Sequence, residues 1–375
     1  VKHKKMRIGF DLSITKLNQA GTSVYAQNLF AALKRLIETE HNRSFSLHPF
    51  NIAVKRDMQH RQSWLRKLTT IYADVLYMHA ILPAMAMSKR VDLIHMPANT
   101  IPLFCTFKSS VFVHDTTIFD HPEHFTTWHR NYARFFTRHA VQNATHILTN
   151  SQQSKQDILR WFDVPASKVT ITTLAANPAF MPLPASALDH YRSAFPKNFI
   201  LTVGALEPRK NITRLIHAYA NYRKEGGALP LLHVGPRGWN YKNVLSTVEE
   251  LGLKPHIQFL GHVEIDTLVA LYNLAEVFVY PSLYEGFGLP IVEAMSCGCP
   301  VITSNTSSMP EVGGSAVVYV DPTDTNSIMQ AMQSVLQNDP QRQMMRTASL
   351  SQSRRFSWEM CARETLACFE YINSL

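Results

Sequence analysis

The sequence predicts an α/β protein of two domains in tandem, each built on a parallel sheet. Three observations carry that expectation. The chain has 375 residues, longer than a single hydrophobic core usually grows, so two domains are expected. Short apolar runs alternate with longer helix-patterned segments, which is the signature of parallel strands joined by crossover helices. The alternation stops at a proline-rich stretch and then starts again.

In the first half the apolar runs are Ile8-Gly9-Phe10, Val91-Asp92-Leu93-Ile94-His95, Ser110-Val111-Phe112-Val113-His114 and His146-Ile147-Leu148-Thr149-Asn150. The interruption is Asn177-Pro178-Ala179-Phe180-Met181-Pro182-Leu183-Pro184, where three prolines rule out a continuous helix or central strand. The second set comprises Asn198 to Gly204, Leu231 to Gly235, Ile257 to Gly261, Val277 to Tyr280 and Pro300 to Thr303. Glycines at three of these strand ends, Gly204, Gly235 and Gly261, suit a sheet edge where backbone approaches a ligand. The expected domains are residues 1–190 and 191–355, with a last helix over 356–375.

Hydrophobic residues make up 46% and charged residues 17% of the chain, the balance of a globular protein. No apolar run reaches the roughly 18 residues that span a bilayer, and a cytoplasmic location is expected. The five cysteines form no C-x-x-C pair, and their odd number suits reduced thiols. No Asp-x-Asp occurs, and no His/Cys cluster has metal-ligand spacing, so neither a metal nor another cofactor is expected.

Charge divides unevenly. Residues 1–195 carry 23 Lys+Arg against 12 Asp+Glu, whereas residues 196–375 carry 14 against 16. A basic first half attracts an anionic partner. Zinc-finger spacing, an aromatic RNA-binding signature and a basic arm are all missing, which argues against nucleic acid. An anionic membrane surface, with the protein peripheral on the inner face of the plasma membrane, or a phosphorylated lipid acceptor fits the asymmetry. The segment from Arg61 to Met87 has helical apolar spacing with Arg61, Arg66 and Lys67 beside it, and reads as a core-facing amphipathic helix before a membrane-lying one.

The densest signal runs from Tyr280 to Met295: a strand end, a loop containing Glu285-Gly286-Phe287-Gly288, and a helix expected to begin at Pro290. Free amides and the helix dipole at such a start cradle a pyrophosphate, and the glycines let it come close. The carboxylates of Glu285 and Glu293 can accept paired hydrogen bonds from vicinal hydroxyls of a sugar or ribose. With no third glycine after Gly286 and Gly288, this is not the dinucleotide-binding fingerprint.

Glu285 and Glu293, separated by seven residues, resemble the hallmark of the family-4 glycosyltransferases, which have the GT-B architecture of two Rossmann-like domains facing each other across a cleft and retain anomeric configuration. The resemblance implies that Glu285 contacts donor-sugar hydroxyls, that Glu293 contacts the nucleotide ribose, and that amides around Gly286, Phe287, Gly288, Leu289, Ile291 and Val292 hold sugar and phosphates. The segment from Val203 through Gly204 to Ile212 resembles the family's strand, loop and lysine. It assigns to Lys210, with Arg209 as second cation, the neutralisation of the donor pyrophosphate. Gly21 to Leu29 resembles the glycine loop that approaches the donor phosphates and the acceptor. Val113-His114-Asp115 implies that His114 lies by the donor sugar. Gly235 to Trp239 and Leu260 to Val263 match further segments, with His262 near the nucleotide base. Phe356-Ser357-Trp358 resembles the start of the family's last helix, which implies that residues 356–375 cross back to the first domain.

The activity so implied is retaining transfer of a hexose from a nucleotide-diphosphate sugar, UDP-glucose before GDP-mannose, to a saccharide or lipid-linked acceptor in polysaccharide biosynthesis. The catalytic set is His114, Glu285, Arg209 and Lys210. The competing expectation is a nucleotide-sugar epimerase of the same architecture, which would produce an epimer without any acceptor.

Overall fold

The computed structural model describes residues 5–17, 21–39, 44–52, 72–238 and 241–375. Residues 61–71 of the amphipathic segment, and Trp239, lie outside the described residues. Contacts divide the chain into two units, residues 1–174 with 357–375, and residues 175–356. The second unit starts at Ala175 because the chain that follows packs within it: Phe180 meets Tyr272 edge to face at 5.8 Å, and the Leu183 N–H donates to Asn273 Oδ1 at 2.8 Å.

The first unit holds six parallel strands: β1 (Met6–Asp11), β2 (Phe45–Phe50), β3 (Leu93–Met96), β4 (Lys108–Val113), β5 (His146–Thr149) and β6 (Val169–Ile171), in the order β2-β1-β3-β4-β5-β6. Central strands read as continuous apolar runs because both faces are covered; Ile8, Phe10, Leu93, Ile94, Val111, Phe112, Ile147 and Leu148 are fully buried. The helices Gly21–Thr39 and Trp358–Ser374 pack on each other within this unit. The C-terminal helix is capped by the Ser357 side chain, which accepts from the Met360 N–H at 3.1 Å. Lys108 Nζ holds its far end by donating to the Ile372 carbonyl at 2.9 Å.

The second unit repeats the plan with β7 (Ile200–Val203), β8 (Leu231–Val234), β9 (Ile257–Gly261), β10 (Val277–Tyr280), β11 (Val301–Ser304) and β12 (Val318–Val320), all parallel, in the order β12-β11-β10-β7-β8-β9. Two Rossmann-like units, with the C-terminal helix returned to the first, make this the GT-B architecture. Strand order reverses direction between β1 and β3 in one sheet and between β7 and β10 in the other. In open α/β sheets such switch points, at the carboxyl ends of the strands, open the crevice where ligands bind.

The carboxyl edge of β7 and β8 is built on close backbone approach. Gly235 has φ +149°, and a Cβ there would stand 2.1 Å from the Gly204 carbonyl oxygen. Gly235→Ala therefore costs about 1–3 kcal/mol from backbone conformation, with the clash adding to it. A lowered denaturant midpoint measures this, and a variant as stable as wild type contradicts it.

Candidate active site

The loops after β7 and β10 meet at the second unit's switch point and are tied together by backbone. After β7 the chain turns through a 3-10 segment, Pro208–Lys210, and Asn211 adopts the left-handed conformation at φ 59°. An asparagine tolerates that region better than most residues. Its buried side-chain amide donates to the Pro281 carbonyl at 3.0 Å and to the Pro322 carbonyl at 2.7 Å. The Leu283 N–H donates to the Arg209 carbonyl at 2.8 Å. These bonds place the two loops in register, so cations from one face a carboxylate from the other.

That carboxylate is Glu285, 7% exposed. Its Oε2 accepts from Arg209 Nη1 at 2.8 Å, and its Oε1 accepts from Lys210 Nζ at 2.6 Å and from the Tyr280 hydroxyl at 2.8 Å. Lys210 Nζ also donates to the Tyr280 oxygen and lies 4.8 Å from that ring's centre. Arg209 in turn reaches Glu207 at 3.4 Å. Burial would raise the Glu285 pKa, but Arg209, Lys210 and the bonds from Lys210 and Tyr280 outweigh it and hold the group at about 2. Burial and neighbouring Arg209 push the Lys210 ammonium down, against the pull of Glu285. Gly204 makes room for this lysine: a Cβ there would sit 3.3 Å from Lys210 Cδ.

Beyond Glu285 the loop is held from below. The Ser307 hydroxyl donates to the Glu285 carbonyl at 2.6 Å and accepts from the Glu285 N–H at 3.2 Å, while Ser308 donates to the carbonyls of Glu285 and Phe287 at 2.8 and 3.0 Å. The helix begins at Leu289 rather than Pro290, because Gly288 at φ 97° makes the reversal one residue earlier. Gly286, Phe287 and Gly288 are buried, and Leu289 half-buried. The Ile291 N–H, expected to face a phosphate, is instead taken by the Gly288 carbonyl at 2.9 Å. Both Ile291 and Val292 bury their side chains completely.

Glu293 stands apart from the Glu285 cluster. It accepts from the Tyr272 hydroxyl at 3.3 Å, and burial raises its pKa to about 7 against the opposing effects of Tyr272 and Lys210. A folded-state pKa above the unfolded 4.5 disfavours the folded protein once the group ionises: the penalty is absent below the unfolded value and complete above the folded one. Glu293→Gln is thus expected to raise the melting temperature at pH 8, with the gain fading as pH falls toward 4.5. A gain that does not change with pH would count against a buried, ionisable Glu293. His262 is exposed at the end of β9.

In the first unit His114 follows β4, partly buried. Its N–H donates to Asn99 Oδ1 at 3.2 Å, and its carbonyl accepts from Asn150 Nδ2 at 2.9 Å. Since a carbonyl only accepts, the 2.9 Å contact of Nε2 with the Pro97 carbonyl places the proton on Nε2 and leaves Nδ1 as acceptor. Burial lowers the pKa of the ring despite that bond and Asp115. Tyr25, on the helix that Gly21 begins, meets the His114 ring edge to face at 5.3 Å. Its hydroxyl bonds His95 Nε2 at 3.1 Å, and His95 Nδ1 bonds Ser110 Oγ at 2.9 Å. Gly21 itself is exposed.

Sequence reasoning paired Arg209 with Lys210 at the pyrophosphate and gave Glu285 to the sugar; the fold joins the three in one cluster. It missed Tyr280, Asn211, Ser307 and Ser308. Tyr280 carried a signal, a polar-tipped aromatic closing an otherwise apolar strand. The serines lie after a different strand and carried none. Among the described residues no group of three or more His, Cys, Asp or Glu is placed to hold a metal ion, and no helix is long and apolar enough to cross a membrane.

Comparison with known proteins decides the family. Residues 190–352 match the glycosyl transferases group 1. The O-antigen chain mannosyltransferase B of Escherichia coli is 38% identical over 264 residues, covering 69% of both chains. The chain belongs to the glycosyl transferases group 1. The family-4 membership expected from the Glu285 and Glu293 spacing is overturned by this match. Two glutamates sample one loop and one helical turn, whereas the match runs through the strands and helices that present them.

This glycosyltransferase is also 34% identical to the E. coli serotype-specific mannosyltransferase WbdA over 241 residues, 61% of this chain but 29% of that longer protein. Its fold matches sucrose-phosphate synthase from Thermosynechococcus elongatus with a TM-score of 0.78 over 99% of this chain and 100% of that one, at 18% identity. It is a hexosyltransferase that uses a nucleotide-sugar donor and a saccharide acceptor.

Proposed function

We propose that this glycosyltransferase moves mannose from a nucleoside-diphosphate donor onto a saccharide or lipid-linked acceptor in the assembly of a surface polysaccharide, with retention of anomeric configuration. The 38% identity to an O-antigen mannosyltransferase carries the sugar. GDP-mannose, second to UDP-glucose on the sequence alone, moves ahead of it for that reason.

The pair of cations at the β7/β10 switch supports the donor assignment. Lys210 and Arg209 neutralise the donor pyrophosphate and then the charge that builds on it as the glycosidic bond breaks, which is where a positioned charge contributes most. Amides near Gly286, Phe287, Gly288 and Leu289, at the helix start, assist. Glu285 orients both cations and accepts from sugar hydroxyls, Glu293 takes the ribose, and His262 lies by the base. Gly204, with no Cβ, leaves room for the Lys210 side chain, and Gly21 lets backbone approach the donor phosphates. His114, a neutral ring with its proton fixed on Nε2, is the first unit's contribution to sugar recognition. Transfer proceeds at the front face through an oxocarbenium-like state, the leaving phosphate taking the acceptor proton, with no protein nucleophile. Charge stabilisation by side chains makes the reaction independent of a divalent ion.

The test is calorimetry with GDP, UDP, ADP and their sugar conjugates in the presence of a chelator, followed by transfer from the preferred donor to an oligomannoside acceptor. Binding selective for GDP-mannose and mannose transfer to the acceptor are expected. Selective binding of UDP-glucose overturns the sugar. Sugar release or epimerisation without acceptor overturns transfer.

A further inference from the structure

The most exposed aromatic residues of the described chain are Phe104, Trp128 and Phe135, at 82%, 70% and 58%. All three belong to the first unit, on segments that touch one another. Trp128 and Phe135 lie on the helix Thr127–Asn143, where helical spacing puts Trp128, Asn131, Phe135 and Arg138 along one exposed stripe. From Trp128 a ladder of rings runs inward: Trp128 stacks on Tyr132 at 5.3 Å, Tyr132 meets Phe136 at 4.6 Å, and Phe136 stacks on His79 at 5.4 Å. His79 sits on the π-helix Tyr72–Ile81, whose neighbouring Val75 and Leu76 are 54% and 50% exposed. Phe104 is fixed to both elements, since the Leu103 N–H donates to His79 Nδ1 at 3.1 Å and His139 Nε2 bonds the Pro102 carbonyl. Five large apolar side chains therefore emerge from three interlocked segments. Scattered exposed hydrophobics need no explanation, but a group on a shared, braced surface marks an interaction site.

Charge says what kind of partner covers it. The helix Thr127–Asn143 contains Arg130, Arg134 and Arg138 with His129 and His139, and no acidic residue. Arg134 is committed inward, donating to the Ile118 and Phe119 carbonyls at 3.0 and 3.3 Å. Arg138 and His129 are exposed beside the aromatic stripe. Rigid aromatic side chains that project from a helix carrying arginines and no acids suit the boundary between acyl chains and anionic headgroups, where rings bury their faces and cations pair with phosphate.

We infer that the face made by Val75, Leu76, Phe104, Trp128, Phe135 and Arg138 seats this enzyme on an anionic phospholipid bilayer. The inference deepens the proposed use of a lipid-linked acceptor, and it fixes which surface meets the lipid. A second copy of the chain fits less well, because two such faces would bring like charges together.

The experiment is flotation of the full chain with vesicles of phosphatidylglycerol and phosphatidylethanolamine, and with vesicles of phosphatidylcholine alone. The wild type and Phe104→Ser/Trp128→Ser/Phe135→Ser are compared, together with Arg138→Glu. Wild-type protein is expected to float with the anionic vesicles and not with the neutral ones, and to be released in part by high salt. The triple variant is expected to partition at least tenfold more weakly, with its melting temperature and its transfer to a water-soluble acceptor unchanged, since all three side chains are solvent-facing. Arg138→Glu is expected to weaken anionic binding alone. Wild-type protein that stays with the unfloated fraction, or a triple variant that floats as well as wild type, overturns the inference. So does a wild-type dimer in sedimentation that the same substitutions dissociate without any vesicle binding. Nucleotide binding measured on the same samples reports separately on the transferase reading.

Discussion

Replacing Lys210 with alanine is expected to lower turnover by about 10² or more, the scale on which losing one preorganised charge partner of a transition state is felt. The reason lies in where the ammonium sits. It is 8% exposed, beside the switch between β7 and β10, and it bonds Glu285 and Tyr280. Water admitted to the vacated space cannot take over its task, because it carries no positive charge to set against the leaving pyrophosphate. Lys210→Arg separates charge from shape. Its larger, planar head does not match the buried position that Nζ occupies between Glu285 and Tyr280, so only partial rescue follows. Steady-state kinetics with a saturating donor checks both: a Lys210→Ala enzyme with near wild-type kcat removes the lysine from the chemistry.

Glu285→Gln is expected to be the most damaging single change to stability at the site. Removing one partner of a buried ion pair typically costs about 3–5 kcal/mol, because the remaining charge stays buried and uncompensated, and here two cations lose the same carboxylate. The pH dependence identifies the cause. The folded-state pKa of Glu285, about 2, lies below the ordinary 4.5. Its stabilisation is therefore complete above the unfolded value and disappears as pH falls through the folded one. A depression of that size corresponds to on the order of 3 kcal/mol. Urea unfolding of wild type and Glu285→Gln is expected to show a stability gap that is constant above pH 5 and narrows toward pH 2. A gap that stays constant across that range means the carboxylate is not what the cations need.

Much of the fold was legible because central strands of a parallel sheet are buried on both faces, and such strands cannot avoid being apolar. The strands that escaped notice are β2, β6 and β12. All lie at sheet edges. β2 contains His48 and Pro49, and the other two are three residues long and partly exposed. Edge strands have one open side, so their sequences carry weaker periodicity. The site was legible in its chemistry but not in its pairing. Arg209, Lys210 and Glu285 each stood out locally, yet the contact between residues 75 positions apart depends on strand order, which no local pattern specifies. Their family was also beyond reach of two glutamates and a spacing. The Ile291 amide shows a different limit: a helix start offers free donors as a class, but the positive φ of Gly288 turns one of them back on its own loop.

In the proposed donor site, Glu285 is also an internal rival for the ligand. With Arg209 and Lys210 already bonded to it, free phosphate, sulfate and other small anions find no bare cations to seize. A donor wins by offering more than one negative group at once, together with hydroxyls that take up the displaced carboxylate. When the sugar has gone, the spent nucleotide no longer brings those hydroxyls, and the carboxylate reclaims its partners. On that proposal, the ion pair that organises the loops also sets a threshold for occupancy and shortens the stay of the product.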